Sequence, residues 1–294
     1  MLRVSSLDKQ FFANGVTKGA VMRYYARIWP EIHPFMKDRP LVLKRYPDGA
    51  SGPMFFQQNA GAHVPGAVRV EMIDTRGDGP KPRIIGGNLA TLLYTVQLGC
   101  IEVHPWLSRV RTAHSADHCL IDLDPDADVP FPAVVALGRH VLHVVRECQL
   151  PAAVKTSGAS GMHIVIPLPP KTSYDTSARL AMLIARVVVA NHPDRATVER
   201  SIKARPAGTI YVDAMQNARG KSMACAYSVR AKEGATVSAP LRDRELTARL
   251  RTSAFSVKSM PARVTRIGDV WGNALSPSAT KQALTNAMKV LERV

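Results

Sequence analysis

The run CLIDLDPDAD places Asp122 and Asp124 two residues apart inside an apolar stretch. On a strand, residues two apart point to one face, with Cα atoms roughly 6.5–7 Å apart. Ile121 and Leu123 then point the other way, into a core. Adjacent carboxylates repel each other unless a cation sits between them. Their hard oxygens suit Mg²⁺ or Mn²⁺. Two such ions stabilise the attacking and leaving oxygens of a phosphoryl transfer. The competing reading is a turn whose acids cap the following helix. That reading is preferred for Asp126 and Asp128, and the metal reading for Asp122 and Asp124. Asp213 closes the apolar strand IYV. It reads equally as a third ligand or as a turn cap.

A second chemical signal is KTSGASGMHIVIPL. Backbone amides exposed in a Gly-rich turn bind phosphate oxygens. Ser157 and Gly158 lie in that turn. A Ser157 hydroxyl and a His163 ring N–H are further donors. The Walker A pattern GxxxxGK[ST] is missing. An ordinary hairpin with a surface histidine is the competing reading. Arg230 ends a later strand-like segment, where a guanidinium can clamp phosphate with two N–H groups. His114 and His118 have helical spacing but lack the acid of HExxH. His140 and His143 read as packing or surface residues. His104 differs, because it follows an apolar run and opens HPW.

These groups need elements to hold them. The spacing predicts a helix over 18–29, with Val21, Tyr24, Tyr25 and Ile28 on one side. Strands are predicted at 41–46 and 54–57 around the turn PDGASGP. Residues 74–83, rich in Gly, Pro and charge, read as an exposed loop. A helix at 88–98 follows, then a strand at 119–123 and a helix at 131–148. Strands at 154–156 and 162–168 flank the turn SGASG. A helix at 176–191 precedes two strands, 210–213 and 224–230, paired antiparallel. A last helix covers 278–293. Such a mixture, with strands joined by hairpins, is α+β with a largely antiparallel catalytic sheet.

The 294 residues include 39 Lys+Arg against 23 Asp+Glu, a formal charge of +16. Such an excess favours a polyanion, nucleic acid before anionic membrane. No apolar run is long enough to span a bilayer. Cys100, Cys119, Cys148 and Cys225 form no CxxC pair and sit in apolar stretches. They read as reduced, buried thiols. The N-terminal MLRVSSLDKQFF lacks a secretory signal, so a cytoplasmic location is expected. Neither repeat nor low-complexity linker appears, and one catalytic domain over 1–294 is expected.

Taken in order, LDKQFF, TKG, LVLKRYPDGASGPMFFQQN, GCIEVHPW, IDLDP, KTSGASGMH, IYVDAMQN and AYSVR resemble the polymerase domain of bacterial ATP-dependent DNA ligase D. That domain belongs to the archaeo-eukaryotic primase superfamily. The resemblance runs over nearly the whole chain. It implies a primase-type core, an RRM-like antiparallel sheet packed with helices, and a second α/β layer. The implied activity is template-directed nucleotidyl transfer to DNA 3′ ends at gaps and breaks, ribonucleotides preferred, in non-homologous end joining or gap repair. The implied cofactors are two divalent ions, Mn²⁺ or Mg²⁺, with a nucleoside triphosphate as substrate.

By resemblance, Asp122, Asp124 and Asp213 match three metal-binding acids. Ser157, Gly158, His163 and Arg230 fall on the triphosphate site. His104 matches a histidine near the nucleotide sugar and metal. Lys44 and Arg45 match basic residues near nucleotide and template. Phe55 and Phe56 match stacking aromatics, one of them expected to pack in the core. Lys9 and Lys18 match lysines that receive a downstream 5′-phosphate, although the sequence alone makes them ordinary surface lysines. The segment Pro80 to Arg83 matches one that helps hold two DNA ends together. Implied partners are DNA with gaps or 3′ overhangs and a 5′-phosphate, Ku and a separate ATP-dependent ligase, and no membrane. The ligase motif KxDG is absent, and the length leaves no room for a ligase or phosphoesterase domain. Gln58, Ser160 and Gln216 depart from the family pattern, each standing where a basic residue is common. Three rival activities remain: a primase starting chains without a primer, a non-catalytic DNA-end-binding module, and a two-metal nuclease.

Overall fold

Thr17 starts the first helix, α1 (Lys18–Arg27), because its hydroxyl oxygen accepts the Ala20 N–H at 3.1 Å. That satisfies one amide left open at a helix start. Val21, Tyr24, Tyr25 and Ile28 are buried, as the period predicts. A second helix, α2 (Trp29–Met36), follows directly. It contains Pro30 and Pro34, residues that normally mark helix boundaries. The chain continues through β1 (Leu41–Arg45), β2 (Phe55–Gln57), β3 (Val70–Ile73), β4 (Lys81–Ile84), α3 (Leu89–Gln97) and β5 (Cys100–Pro105). The computed structural model describes residues 2–75, 77, 79–271, 275 and 279–293. Two compact units divide the chain. The first comprises Met1–Ala113, Ser222–Ala239 and Ser253–Asp269, and the second His114–Lys221, Pro240–Thr252 and Val270–Val294.

In the first unit, β2, β1 and β5 form an antiparallel sheet in that order. Of the loop expected over 74–83, the described residues up to Pro80 form the hairpin connection, and only Lys81–Arg83 differ, since they belong to β4. Arg83 is buried, and its guanidinium donates to Gln58 Oε1 and Thr75 Oγ1, both at 3.1 Å. Charge and proline content suggested solvent, but the side chain's partners keep it inside. Val42, Ile73, Ile85 and Trp106 make one apolar cluster. Residues 224–230 are not the expected strand: Val229 makes a single bridge with Val237. Tyr227 has φ of 66°, outside the β region, so a regular ladder is interrupted. The segment is instead pinned to β5. Cys225 N–H donates to Val103 O at 2.9 Å, and the Ser228 hydroxyl accepts Val103 N–H at 3.0 Å. Val229 N–H donates to the Tyr25 hydroxyl oxygen at 3.0 Å.

The second unit contains β6 (His118–Pro125), α4 (Phe131–Glu147), β7 (Ala153–Thr156), β8 (Met162–Pro167), α5 (Tyr174–Asn191), β9 (Ala196–Thr197), β10 (Ile210–Asp213) and β11 (Pro240–Leu241). Its sheet order is β11-β7-β8-β6-β10-β9, antiparallel except for β9 beside β10. The antiparallel partner of β10 is therefore β6, not residues 224–230. Gly138 lets α4 pack on Leu123 and Met162, one face of the sheet. Side chains two apart from these share that face, so Asp122 and Asp124 stand on the other. Asp126 holds a turn as expected, accepting from Ala127 N–H at 2.8 Å and Gly208 N–H at 3.2 Å. Asp128 does not cap α4: the cap position is Pro130, with no side-chain hydrogen bond.

The chain returns to the first unit for α6 (Met260–Ile267) and ends in the second with α7 (Lys281–Leu291). Ser278, the expected start of the last helix, lies outside the described residues. Thr280 caps α7. The architecture is α+β with antiparallel sheets, as expected. All four cysteines are free and buried, and burial pushes the Cys119 thiol up to about 12. No described helix is long and apolar enough to cross a membrane.

Candidate active site

The register of the second unit puts a polar row across four strands. Lys155 pairs with His163, His163 with Asp122, and Asp122 with Asp213. Asp124 lies one step along the same face of β6, opposite Tyr211. Directly opposed residues on antiparallel strands lie about 4.5–5.5 Å apart at Cα. The fold therefore brings together three acids separated by up to 91 positions in the chain. Their side chains have separate partners. Asp122 Oδ1 is 3.4 Å from His163 Nε2. Asp124 Oδ2 is 3.5 Å from Arg205 Nη1, and that guanidinium stacks 4.1 Å over Tyr211. Asp213 is buried and already well hydrogen-bonded. Its Oδ1 accepts from Met215 N–H at 2.7 Å and the Tyr211 hydroxyl at 3.2 Å, and its Oδ2 from Gln216 at 2.9 Å.

The donor chemistry fits a hard divalent cation, since all three groups offer carboxylate oxygen. Asp122 and Asp124 share a face and retain exposed surface. For Asp213 the register agrees, but its oxygens serve its own turn. Among the described residues no three His, Cys, Asp or Glu side chains form a ready-made metal group. Asp213 thus serves as the turn cap of the sequence reading, and the register places it beside Asp122. Asn217, which the sequence reading passed over, locks this turn to β6. It accepts Leu120 N–H at 2.8 Å and donates to Leu120 O at 2.7 Å.

The SGASG turn joins β7 to β8. Ser157 Oγ accepts the amides of Ala159 and Gly161, both at 3.1 Å, so the hydroxyl shapes the turn. Gly158 adopts φ of 75°, a conformation costly for residues with Cβ. At Gly161 a Cβ would lie 2.1 Å from Leu123 O. His163 is buried, not the surface histidine of an ordinary hairpin. Lys155 Nζ meets its Nδ1 at 2.5 Å, and Lys155 is 0% exposed. With Lys155 as the donor, Nδ1 accepts and the Nε2 proton faces Asp122. The sequence reading missed Lys155; its place at i−8 from His163 across a hairpin was the available signal.

The first unit gathers a second set of predicted residues around one they did not include. Glu102 is 2% exposed. Its Oε1 accepts from Ala231 N–H at 3.1 Å, the Tyr46 hydroxyl at 3.2 Å and Lys44 Nζ at 3.4 Å. Its Oε2 takes Arg230 Nε at 3.0 Å and faces His104 Nε2 at 3.2 Å. Burial alone would raise the Glu102 carboxyl; the His104 hydrogen bond and the Arg230 and Lys44 charges outweigh it and hold it well below the usual range. Burial lowers His104, and the Glu102 hydrogen bond only partly opposes this. His104 is accordingly a neutral ring near pH 7.

Arg45 sits on the other face of β1. It donates to Leu98 O at 2.6 Å and Gln57 Oε1 at 3.0 Å and stacks 4.9 Å over Phe55. Phe55 and Phe56 are 45% and 54% exposed, so neither packs in the core as one was expected to. They share a short edge strand and point to opposite faces. Phe56 lies edge-on to His104 at 6.3 Å. Lys9 is exposed and pairs with Asp48 at 3.7 Å. Lys18 is not an ordinary surface lysine. It is buried, donates to Ser5 O at 2.8 Å, and burial followed by the Lys9 charge lowers its ammonium.

A cavity of about 690 Å³ in the second unit lies away from these residues. Val129, Ala133, His140, His143, His192 and Ile210 help line it, and no expected site residue does.

A family model described as the LigD primase-polymerase domain matches residues 17–271. The chain belongs to this family. The multifunctional non-homologous end joining protein LigD of Pseudomonas aeruginosa is 32% identical over 257 residues, 86% of this chain and 30% of that protein. The bifunctional non-homologous end joining protein LigD of Bacillus subtilis is 29% identical over 269 residues, 91% of this chain and 43% of that protein. The chain thus spans less than half the length of these curated relatives. A solved polymerase domain from Mycobacterium tuberculosis ligase D, in complex with DNA, superposes with TM-score 0.86 at 26% identity. It covers 93% of this chain and 98% of that one.

Two of the three departures from the LigD pattern have structural partners. Gln58 accepts from Arg83, and Gln216 donates to Asp213. Ser160 is exposed at the turn. In this LigD-family chain an amide, not a cation, therefore holds the outer oxygen of Asp213.

Proposed function

We propose that this chain is a template-directed nucleotidyltransferase that adds nucleotides, ribonucleotides preferentially, to DNA 3′ ends at gaps and breaks. The observation that carries the reading is the row His163–Asp122–Asp213, with Asp124 beside it and the SGASG turn at its edge. Membership of the LigD family supports it. Asp122 and Asp124 would hold divalent metal through their carboxylate oxygens, with Asp213 as the third acid beside them. Bound Mn²⁺ or Mg²⁺ supplies charge neutralisation and lowers the pKa of a primer hydroxyl.

The chain's own residues do the positioning. Lys155 fixes His163 with its Nε2 proton toward Asp122. Ser157 and Gly158 set the turn amides for phosphate oxygens. Lys44, His104 and Arg230 contact the incoming nucleotide, and Phe55 and Phe56 offer exposed rings for stacking bases. Lys9 and Lys18 receive a 5′-phosphate, and DNA with gaps or 3′ overhangs is the partner, with Ku and an ATP-dependent ligase completing the repair.

Asp122→Ala should abolish extension of a gapped duplex, a loss on the order of 10³-fold or more, and leave DNA affinity unchanged. Gap filling and binding measured on one preparation check this. Full extension by the variant removes the metal assignment. The separate partners of the three carboxylates favour one other reading, a DNA-end-binding module without catalysis. It predicts binding with no product in either Mn²⁺ or Mg²⁺.

A further inference from the structure

Lys44, His104 and Arg230 come from β1, β5 and the segment after Ser228. Nothing in their sequence spacing brings them together; the β1–β5 register sets Lys44 opposite Glu102, and Glu102 then contacts all three. Its two oxygens meet five donors, Lys44, Tyr46, Ala231, His104 and Arg230. A carboxylate has about four lone-pair directions, so the group is saturated. Two of the five are fixed charges, Lys44 and Arg230. Against one carboxylate they leave an excess of one positive charge. The third, His104, gives its Nε2 proton to Glu102 and adds no charge. Its other nitrogen, Nδ1, is then an acceptor.

We propose that Glu102 is the positioning residue of the nucleotide site, presenting Lys44 and Arg230 as a preformed receptor for phosphate oxygens and holding His104 as a neutral acceptor through Nδ1. The inference rests on the nucleotidyltransferase reading and adds the residue that organises its substrate grip. Removing an anion beside a phosphate site would ordinarily tighten phosphate binding by simple electrostatics. Here the sign reverses, because without Glu102 the two cations lose their fixed geometry and are free to disperse. Charge-assisted hydrogen bonds carry directional energy that diffuse attraction does not replace.

The test uses the full chain as wild type, Glu102→Gln and Glu102→Asp, each checked for folding by thermal melting. Binding of a non-hydrolysable nucleoside triphosphate analogue is measured beside KM and kcat for gap filling. The Gln variant should bind the analogue roughly ten- to a hundredfold more weakly. Its KM should rise by a similar factor while kcat changes less. The Asp variant, which keeps the charge, should recover part of that loss. Nitrogen NMR of His104 in the wild type should show protonated Nε2 and bare Nδ1 at neutral pH. Analogue affinity unchanged or tightened in a folded Gln variant overturns the proposal. If that variant does not fold, the wild-type spectrum decides: a ring protonated on Nδ1, alone or with Nε2, overturns it. Analogue binding reads the proposal even if wild type extends no primer, so failure of the polymerase reading is seen separately.

Discussion

Single side chains divide into those named by type and those named by partners. Asp122 and Asp124 are legible in the sequence because two acids alternate with two apolar residues on one strand. Glu102 is not legible, since its donors lie at 44, 46, 104, 230 and 231. Its depressed carboxyl carries a pH consequence. The unfolded chain protonates Glu102 near the ordinary value of about 4.3, above the folded one. Stability from this group is therefore fully present above that pH and drains away below it. His104 acts in the same direction: lowered in the fold, it charges first in the unfolded chain, below about pH 6.5. The urea midpoint should fall as pH drops from about 6.5 toward 3. Glu102→Gln should flatten the part of that curve below about pH 4. Unfolding followed by fluorescence at a series of pH values checks this. An equally steep acid limb in the variant would show that other carboxyls control it.

At the level of elements, the turn between β7 and β8 sets how closely β8 lies against β6. Gly161 permits this, because a methyl group there would overlap the Leu123 carbonyl at 2.1 Å. Gly161→Ala should destabilise the chain by about 2 kcal/mol or more, displace His163 from Asp122, and lower gap filling with it. A melting temperature lowered by roughly 4–8 °C is expected for a unit of this size. An unchanged melt would mean that the strands part without cost. Most strands and helices were readable from period and turn residues, including β1, β6, β8, β10 and α5. Those missed have a physical reason. The helix α2 hides behind Pro30 and Pro34. The hairpin β3–β4 carries Arg83, whose two terminal nitrogens find partners inside. Residues 224–230 have a strand's composition, yet side-chain hydrogen bonds from Ser228 and Tyr25 replace the ladder.

Across the whole molecule the dominant quantity is charge. An excess of +16 is a property of composition and needs no fold to be legible. It predicts that phosphate neutralisation contributes heavily to DNA affinity. Raising salt from about 50 to 200 mM should weaken binding to a gapped duplex on the order of 10²-fold or more. Replacing Lys9 with Gln should reduce the slope of log affinity against log salt by about 0.9. Titrations by fluorescence anisotropy at four salt concentrations check both. A salt-independent affinity would leave the basic surplus without a role in DNA binding.

The first unit is completed by chain that is synthesised after the second unit has largely passed. Residues 114–221 intervene before Ser222–Ala239 is added. A fragment ending at Lys221 would keep all three aspartates, yet it would lack Arg230 and the Ala231 amide. Glu102 would then be left in an unfinished shell, its charge only partly answered. A nascent chain thus carries its acid row long before the donors around Glu102 are complete, and truncation from the C-terminal side opens that shell without touching an aspartate.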